Sequence, residues 1–133
     1  MDYNETLQYI YARLKTFHHI GQNAYNPGLE NIRALSAAFG NPHQGLKCVH
    51  IGGTNGKGST AHTVAAVLQA AGYRTGLYTS PHLMDFDERI RVNGTPIDHN
   101  YVVDFVQRYM SMDIHECDPS FFELATVMAF EYF

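Results

Sequence analysis

The stretch Cys48–Thr60, with the sequence CVHIGGTNGKGST, places four glycines and one lysine directly after a short apolar run. A glycine-rich loop between a strand and a helix can hold phosphate, because backbone N–H groups point at the anion and a lysine neutralises its charge. The usual pattern, G-x-x-x-x-G-K-[ST], requires a glycine where this chain has Ile51 and a hydroxyl where it has Gly58. Ser59 supplies the hydroxyl one residue later. The alternative is a glycine turn that only permits close packing of helix and strand.

The segments on either side of this loop predict one βαβ unit. Lys47–Ile51 is short, apolar and β-branched, which is typical of a buried strand and would bury Cys48 as well. A helix is predicted from Gly58 to Gly72, and a second strand from Arg74 to Thr79. Such units join parallel strands by a right-handed crossover. The sequence therefore predicts an α/β fold of the P-loop type, with parallel strands and flanking helices.

Helical periodicity and turn signals predict the elements around this unit. Asp2 and Glu5 have capping-box spacing at the start of the first helix, and Asn93-Gly94 is a strong hairpin signal. The last helix has Phe122 and Met128 among its periodic apolar positions. The predicted elements are a helix over residues 3–18, a loop over 21–28, a helix from Leu29 stopped by Gly40-Asn41-Pro42, a small β-hairpin around residues 93–94, a helix capped by Asp98, and a last helix capped by Asp118 with Pro119 at its first position.

Length, charge and cysteine usage limit the function classes. A chain of 133 residues is about the size of one domain. Its formal net charge is −4, and no run of Lys or Arg would follow a nucleic-acid backbone. It has no uncharged secretory signal and no stretch near the ~20 apolar residues that span a bilayer. Its two cysteines have neither disulfide-framework nor zinc-ligand spacing. We expect a cytoplasmic protein without nucleic-acid or membrane partners.

Three blocks follow one another along the chain: Gly53–Ser59 (GTNGKGS), Gly76–Leu83 (GLYTSPHL) and Glu88–Gly94 (ERIRVNG). In this order they resemble the folylpolyglutamate synthase/dihydrofolate synthase family, a branch of the Mur ligases. The resemblance extends from the first helix to Phe133. It identifies the late hydroxyl as this branch's variant of the phosphate loop, whereas relatives that build peptidoglycan more often have a hydroxyl directly after the lysine.

The resemblance implies an ATP-dependent amide-bond ligase that adds L-glutamate to folates (tetrahydrofolate polyglutamylation), with dihydropteroate as a further candidate acceptor. This activity belongs to folate biosynthesis and one-carbon metabolism. In such enzymes ATP converts a substrate carboxylate to an acyl phosphate, which the amino group of glutamate attacks. The reaction needs Mg²⁺ and cations to offset charge on the transferring phosphoryl group. The implied cofactors are ATP and Mg²⁺, and the implied partners are small-molecule substrates.

The family's functional residues carry over onto matching positions of this chain. By resemblance, Lys57 and Ser80 are the candidate catalytic residues, and Ser59 and Ser80 are the candidate Mg²⁺ ligands. The candidate nucleotide-binding residues are Thr54, Asn55, Gly56, Lys57, Gly58, Ser59 and Thr60. The candidate substrate-binding residues are His82, Glu88, Arg89, Leu29 and Glu30, the last two from a segment, residues 25–30, that corresponds to the family's pterin site.

Several of these positions have structural alternatives. Ser80 has the position of a residue that caps a turn before Pro81. His82 would be a solvated loop histidine, and Glu88 and Arg89 would form an ion pair near the hairpin.

The family's members are much longer than this chain. The resemblance therefore implies that residues 1–133 are the N-terminal portion of the ATPase domain, without the rest of that domain or the C-terminal glutamate-binding domain, and we expect them to be inactive alone. Two other functions remain open: a free-standing nucleotide-binding module without ligase chemistry, and a peptidoglycan Mur ligase. The Lys57-Gly58-Ser59 sequence argues against the second.

Overall fold

The computed structural model describes residues 1–13, 28–114 and 117–133, which form two compact units. A helical unit comprises Met1–Gly45 and His99–Tyr132, and a mixed unit comprises Leu46–Asp98 with Phe133. The helices are α1 (Tyr3–Arg13), α2 (Glu30–Ala38), α3 (Lys57–Ala70), α4 (His99–Ser111) and α5 (Phe121–Tyr132). The strands are β1 (Gly76–Tyr78), β2 (Ile90–Val92) and β3 (Thr95–Pro96), and a 3₁₀-helix, Phe86–Arg89, precedes β2. None of the helices in these ranges is long and apolar enough to cross a membrane.

The helical unit is built from two pairs of packed helices. α1 packs against α4, and α2 packs against α5. Apolar side chains at helical spacing fill the space between them, as the periodicity predicts. The fully buried members of this core are Ile10, Leu35, Val102, Phe105, Val106, Leu124, Val127 and Met128.

Local end signals define the helices largely as predicted. The Asp2–Glu5 capping box is confirmed, since each backbone N–H donates to the other residue's carboxylate at 2.8 Å. The predicted stop after α2 is also confirmed, with Gly40 and Asn41 at φ 77° and 55°. Residues 14–18 of the predicted first helix and 21–27 of the predicted loop lie outside the described residues.

The start of α5 differs from the prediction. Ser120 caps this helix instead of Asp118: its hydroxyl accepts from the Glu123 N–H at 3.2 Å, and the Glu123 carboxylate accepts from the Ser120 N–H at 2.8 Å. This reciprocal pair satisfies two otherwise unpaired donors, which Asp118 followed by proline cannot match. Of the two periodic apolar positions named for this helix, Phe122 is 52% exposed, whereas Met128 is fully buried.

The mixed unit contains a three-stranded antiparallel sheet in the order β1-β2-β3. Gly76 pairs with Val92 and Tyr78 with Ile90 across β1 and β2. The hairpin signal is confirmed: Asn93 and Gly94 both have positive φ, 49° and 78°, as a tight two-residue turn requires. The described residues thus confirm the mixed helix-and-strand class of the prediction.

The predicted parallel pairing and the predicted strand at Lys47–Ile51 are wrong for the described residues. The segment 47–51 joins no ladder, and Cys48, expected to be buried, is exposed. β1 instead takes β2 as its antiparallel neighbour. The physical reason is that an extended segment forms a ladder only with a hydrogen-bonded neighbour, and none of the described strands lies beside residues 47–51.

Helix α3 carries apolar residues but buries none of them. Val67 is 63% exposed, and Val49, just before the phosphate loop, is 69% exposed. The stop at Gly72 is confirmed by its φ of 91°. Within the described residues, the helix contacts β1 and has Val64 and Leu68 half-buried, but no residue of it is fully covered.

Candidate phosphate-binding site

The glycine loop leads directly into the N-terminus of α3. Gly56 is the N-cap residue and has φ 75° and ψ 7°, a left-handed conformation that favours glycine. Gly53 also has positive φ, 149°. The first intrahelical bond runs from the Thr60 N–H to the Gly56 carbonyl (3.0 Å), so the N–H groups of residues 57–59 precede the hydrogen-bond ladder. Such unpaired N–H groups at a helix start form an anion site.

The space over this loop is open. Residues 52–60 are all exposed, and a Cβ added at Gly56 or Gly58 would meet no atom within 4 Å. The first turn of α3 contains no acidic side chain that would compensate the positive end of the helix dipole. Packing within the described residues therefore does not explain Gly58.

Lys57 is the first residue of α3 and supplies the cation of this loop. Its Nζ lies 3.4 Å from the Thr54 carbonyl oxygen, at the long limit of a hydrogen bond. The ammonium thus folds back over the loop and is held there only weakly. A phosphate oxygen would be a stronger partner, because a hydrogen bond between charged groups is about twice as strong as a neutral one.

The donor set for Mg²⁺ is limited to hydroxyl groups. Ser59 and Ser80 are both exposed, and serine oxygens are hard donors that suit Mg²⁺. In residues 1–13, 28–114 and 117–133, no three His, Cys, Asp or Glu side chains form a metal-binding group. Because Mg²⁺ is commonly held by one or two carboxylates beside phosphates and water, the two serine hydroxyls would suffice only for an ion whose other ligands come with a nucleotide.

A second group of predicted residues lies on the segment between β1 and β2. Ser80 follows the strand end, where the Thr79 N–H donates to the Arg89 carbonyl (2.9 Å), and the Ser80-Pro81 peptide bond is cis. The Arg89 Nε donates to His82 Nδ1 at 2.7 Å. Partial burial, and then the Arg89 charge, lowers the pKa of His82. His82 therefore accepts through Nδ1 in its neutral form.

Glu88 is occupied by the backbone of this same segment. Its carboxylate accepts from the N–H groups of Leu83, Met84 and Asp85 at 2.9 to 3.0 Å, and these bonds lower the pKa of Glu88. Asp85 caps the 3₁₀-helix in return. This role of Asp85 was not predicted, although the D-x-x-E spacing of residues 85–88 is a capping-box signal.

The structure brings some of the predicted residues together. Thr54 contacts Lys57, and His82 contacts Arg89, all within the mixed unit. Leu29 and Glu30 belong to the helical unit, at the N-terminus of α2, and both are exposed. Residues 25–27 of the implied pterin segment lie outside the described residues.

No family model matches the sequence. The chain is 39% identical over 137 residues to a probable bifunctional folylpolyglutamate synthase/dihydropteroate synthase of Haloferax volcanii, covering 100% of the chain and 16% of that protein. It is 36% identical over 137 residues to a dihydrofolate synthase/folylpolyglutamate synthase of Bacillus subtilis, covering 98% of the chain and 30% of that protein.

Solved structures give the same result. The folylpolyglutamate synthetase from Lactobacillus casei has a TM-score of 0.85 and 34% identity, covering 100% of the chain and 33% of that protein. A complex of folylpolyglutamate synthase with AMPPCP and folate has a TM-score of 0.82 and 34% identity, covering 100% of the chain and 32% of its own. The chain spans about a third or less of the length of these proteins. Over its 133 residues, the chain belongs to the folylpolyglutamate synthase/dihydrofolate synthase family.

Proposed function

We propose that this chain forms the nucleotide-binding N-terminal portion of an ATP-dependent ligase that adds L-glutamate to folates, with dihydropteroate as a further candidate acceptor. ATP would supply the phosphoryl group that activates the substrate carboxylate. The chain's own contribution is to bind the phosphates, offset their charge and orient them toward the acceptor.

The observation that carries the proposal is the geometry of the glycine loop. Gly56 turns the chain at the N-terminus of α3, the N–H groups of residues 57–59 precede the hydrogen-bond ladder, and the space around Gly56 and Gly58 is open. Within the described part of the chain, the Lys57 ammonium makes a long contact to Thr54. A loop with this geometry would bind the β- and γ-phosphates through backbone N–H groups and the lysine. The similarity to folylpolyglutamate synthase in complex with AMPPCP and folate supports a nucleotide and a folate as its ligands.

The two serines support an accompanying Mg²⁺. Ser59, in the first turn of α3, and Ser80, after β1, are exposed oxygen donors that follow the loop and the strand end. We propose that they complete the coordination of an ion carried in by the nucleotide. Most of its ligands would be phosphate oxygens and water, as is common for Mg²⁺ in phosphoryl-transfer sites.

The test is Mg²⁺-dependent and ATP-dependent transfer of labelled L-glutamate to tetrahydrofolate by the full-length protein that carries this chain. Lys57→Ala should lower kcat by at least about a hundredfold, because it removes a cation from the transferring phosphoryl group. Lys57→Arg should keep a larger fraction of the activity, since the charge remains. Lys47→Ala is the matched control, because Lys47 is also exposed but lies outside the loop.

Two results would contradict the proposal. Near-normal turnover by Lys57→Ala would remove the lysine from the reaction. Nucleotide binding without any glutamate transfer by the wild-type protein would instead favour the free-standing nucleotide-binding module.

A further inference from the structure

The segment Ser80–Asp85 has an unusual exposure. Leu83 and Met84 are 92% and 90% exposed, the highest values among the large apolar residues that are described as exposed. Side chains so exposed make almost no packing contacts that could hold a segment in one conformation. Its conformation must therefore be set by polar contacts.

One carboxylate makes these contacts with three successive residues. Glu88 Oε2 accepts from the Leu83 N–H at 3.0 Å, and Oε1 accepts from the N–H groups of Met84 and Asp85 at 3.0 and 2.9 Å. The Asp85 carboxylate accepts from the Phe86 N–H at 2.8 Å, and it also accepts from the Glu88 N–H, which closes the capping box. Both oxygens of Glu88 are thus used by the backbone of the segment.

The neighbouring residue holds the other end of the segment. Arg89 is only 7% exposed, and its Nε donates to His82 Nδ1 at 2.7 Å. Its carbonyl accepts from the Thr79 N–H at 2.9 Å, directly before Ser80. Two adjacent residues, 88 and 89, therefore fix both ends of the segment that carries the Ser80 hydroxyl and the His82 ring.

We propose that Glu88 and Arg89 are positioning residues that clamp Ser80–Asp85, and that they act on the ligand through Ser80 and His82 and not by binding substrate. Three of the about four acceptor sites of the Glu88 carboxylate are already used by backbone N–H groups of the segment, so little of this carboxylate remains for a substrate group. Arg89 is largely buried and its guanidinium donates to His82, so little of it remains for a substrate group.

The first test measures hydrogen exchange of backbone amides in the 133-residue chain and does not depend on the proposed function. Glu88→Ala should speed exchange at Leu83, Met84 and Asp85 by about tenfold or more, because bonds to a charged acceptor are lost. Glu88→Gln retains one oxygen, so Leu83 should lose more protection than Met84 and Asp85. Glu123→Gln is the matched control, since Glu123 caps the Ser120 N–H in the helical unit and should leave residues 83–85 unchanged. Protected amides in α5 verify that each variant is folded.

The second test measures kcat and KM in the full-length protein and rests on the proposed ligase function. A positioning role predicts that Glu88→Ala lowers kcat with little change in the KM of the folate acceptor, and that Glu88→Gln restores part of kcat. A raised acceptor KM with unchanged kcat would show direct substrate binding and would overturn the proposal. Unchanged exchange in Glu88→Ala would also overturn it. An inactive wild-type protein would contradict only the proposed ligase, because the exchange experiment tests the clamp independently.

Discussion

Replacing Gly56 or Gly58 by alanine should change stability in opposite directions and phosphate binding in the same direction. Gly56 has φ 75° and ψ 7°, and an L-residue in this region costs about 1–2 kcal/mol. An added Cβ there meets nothing within 4 Å, so the backbone term is the whole expected loss. Gly58 lies in the first turn of α3, also with open space around its Cβ, so alanine should stabilise the helix by about 0.5–1 kcal/mol.

Phosphate binding should fall in both variants. Gly56→Ala disturbs the turn that directs the first N–H groups of α3, and Gly58→Ala places a methyl group in space that the proposal assigns to a phosphate. Gly72→Ala is the control: Gly72 has φ 91° and equally open surroundings, but it ends α3 instead of starting it. It should lose as much stability as Gly56→Ala and keep phosphate binding unchanged.

The assay combines urea unfolding, which gives the free energy of unfolding of the 133-residue chain, with calorimetric titration of inorganic phosphate. Equal m-values among the variants are needed for the free energies to be compared. If Gly58→Ala destabilised the chain, a packing role would explain this glycine. If Gly58→Ala bound phosphate as tightly as the wild type, the open space would not be the ligand site.

Three further predictions follow from other contacts. Arg108→Met should lower the free energy of unfolding by about 2 kcal/mol, because the substitution removes a bidentate pair with the partly buried Glu131. Arg33 is exposed, so Arg33→Met should leave the free energy of unfolding almost unchanged. A loss below about 0.5 kcal/mol in Arg108→Met would refute this prediction. Because its hydrogen bonds to backbone N–H groups lower the pKa of Glu88, the amide resonance of Leu83 should show a transition as the pH falls through that lowered pKa. The Glu88→Gln variant should lack this transition and keep only the one that follows the neighbouring His82. Calorimetry of the 133-residue chain with Mg-ATP should give weak binding or none, since the described residues form no group of carboxylates that would complete a Mg²⁺ site. A micromolar Kd would contradict this expectation.

The features that could be predicted from the sequence are those that depend on a few neighbouring residues. The Asp2–Glu5 box, the glycine stops after α2 and α3 and the Asn93-Gly94 turn are set by local backbone chemistry, and each forms as expected. The backbone of the glycine loop belongs to the same class, since Gly56 takes a positive φ and Lys57 begins α3. Its spacing departs from the usual phosphate pattern, so the family resemblance was needed to predict phosphate as its ligand.

The features that could not be predicted depend on partners distant in sequence or on a choice between two local signals. Whether Lys47–Ile51 becomes a strand depends on a neighbouring strand, which no residue within the segment specifies. At α5, Asp118 and Ser120 are both acceptable caps, and the reciprocal bond to Glu123 decides in favour of Ser120. Glu88 matched a family block, so its contacts with the backbone of its own segment were overlooked, although its spacing from Asp85 was available.

The exposure of the Ser80–Asp85 segment also gives the chain an internal chemical reporter. Met84 is 90% exposed, whereas Met128 is fully buried in the helical core. Mild peroxide converts accessible methionine to the sulfoxide, so Met84 should be oxidised long before Met128. Slower oxidation of Met84 by itself would mark a ligand or protein surface lying over the segment, and faster oxidation of Met128 would mark loss of the core. The two thioethers therefore allow one mass-spectrometric experiment to separate coverage of the candidate site from unfolding of the chain.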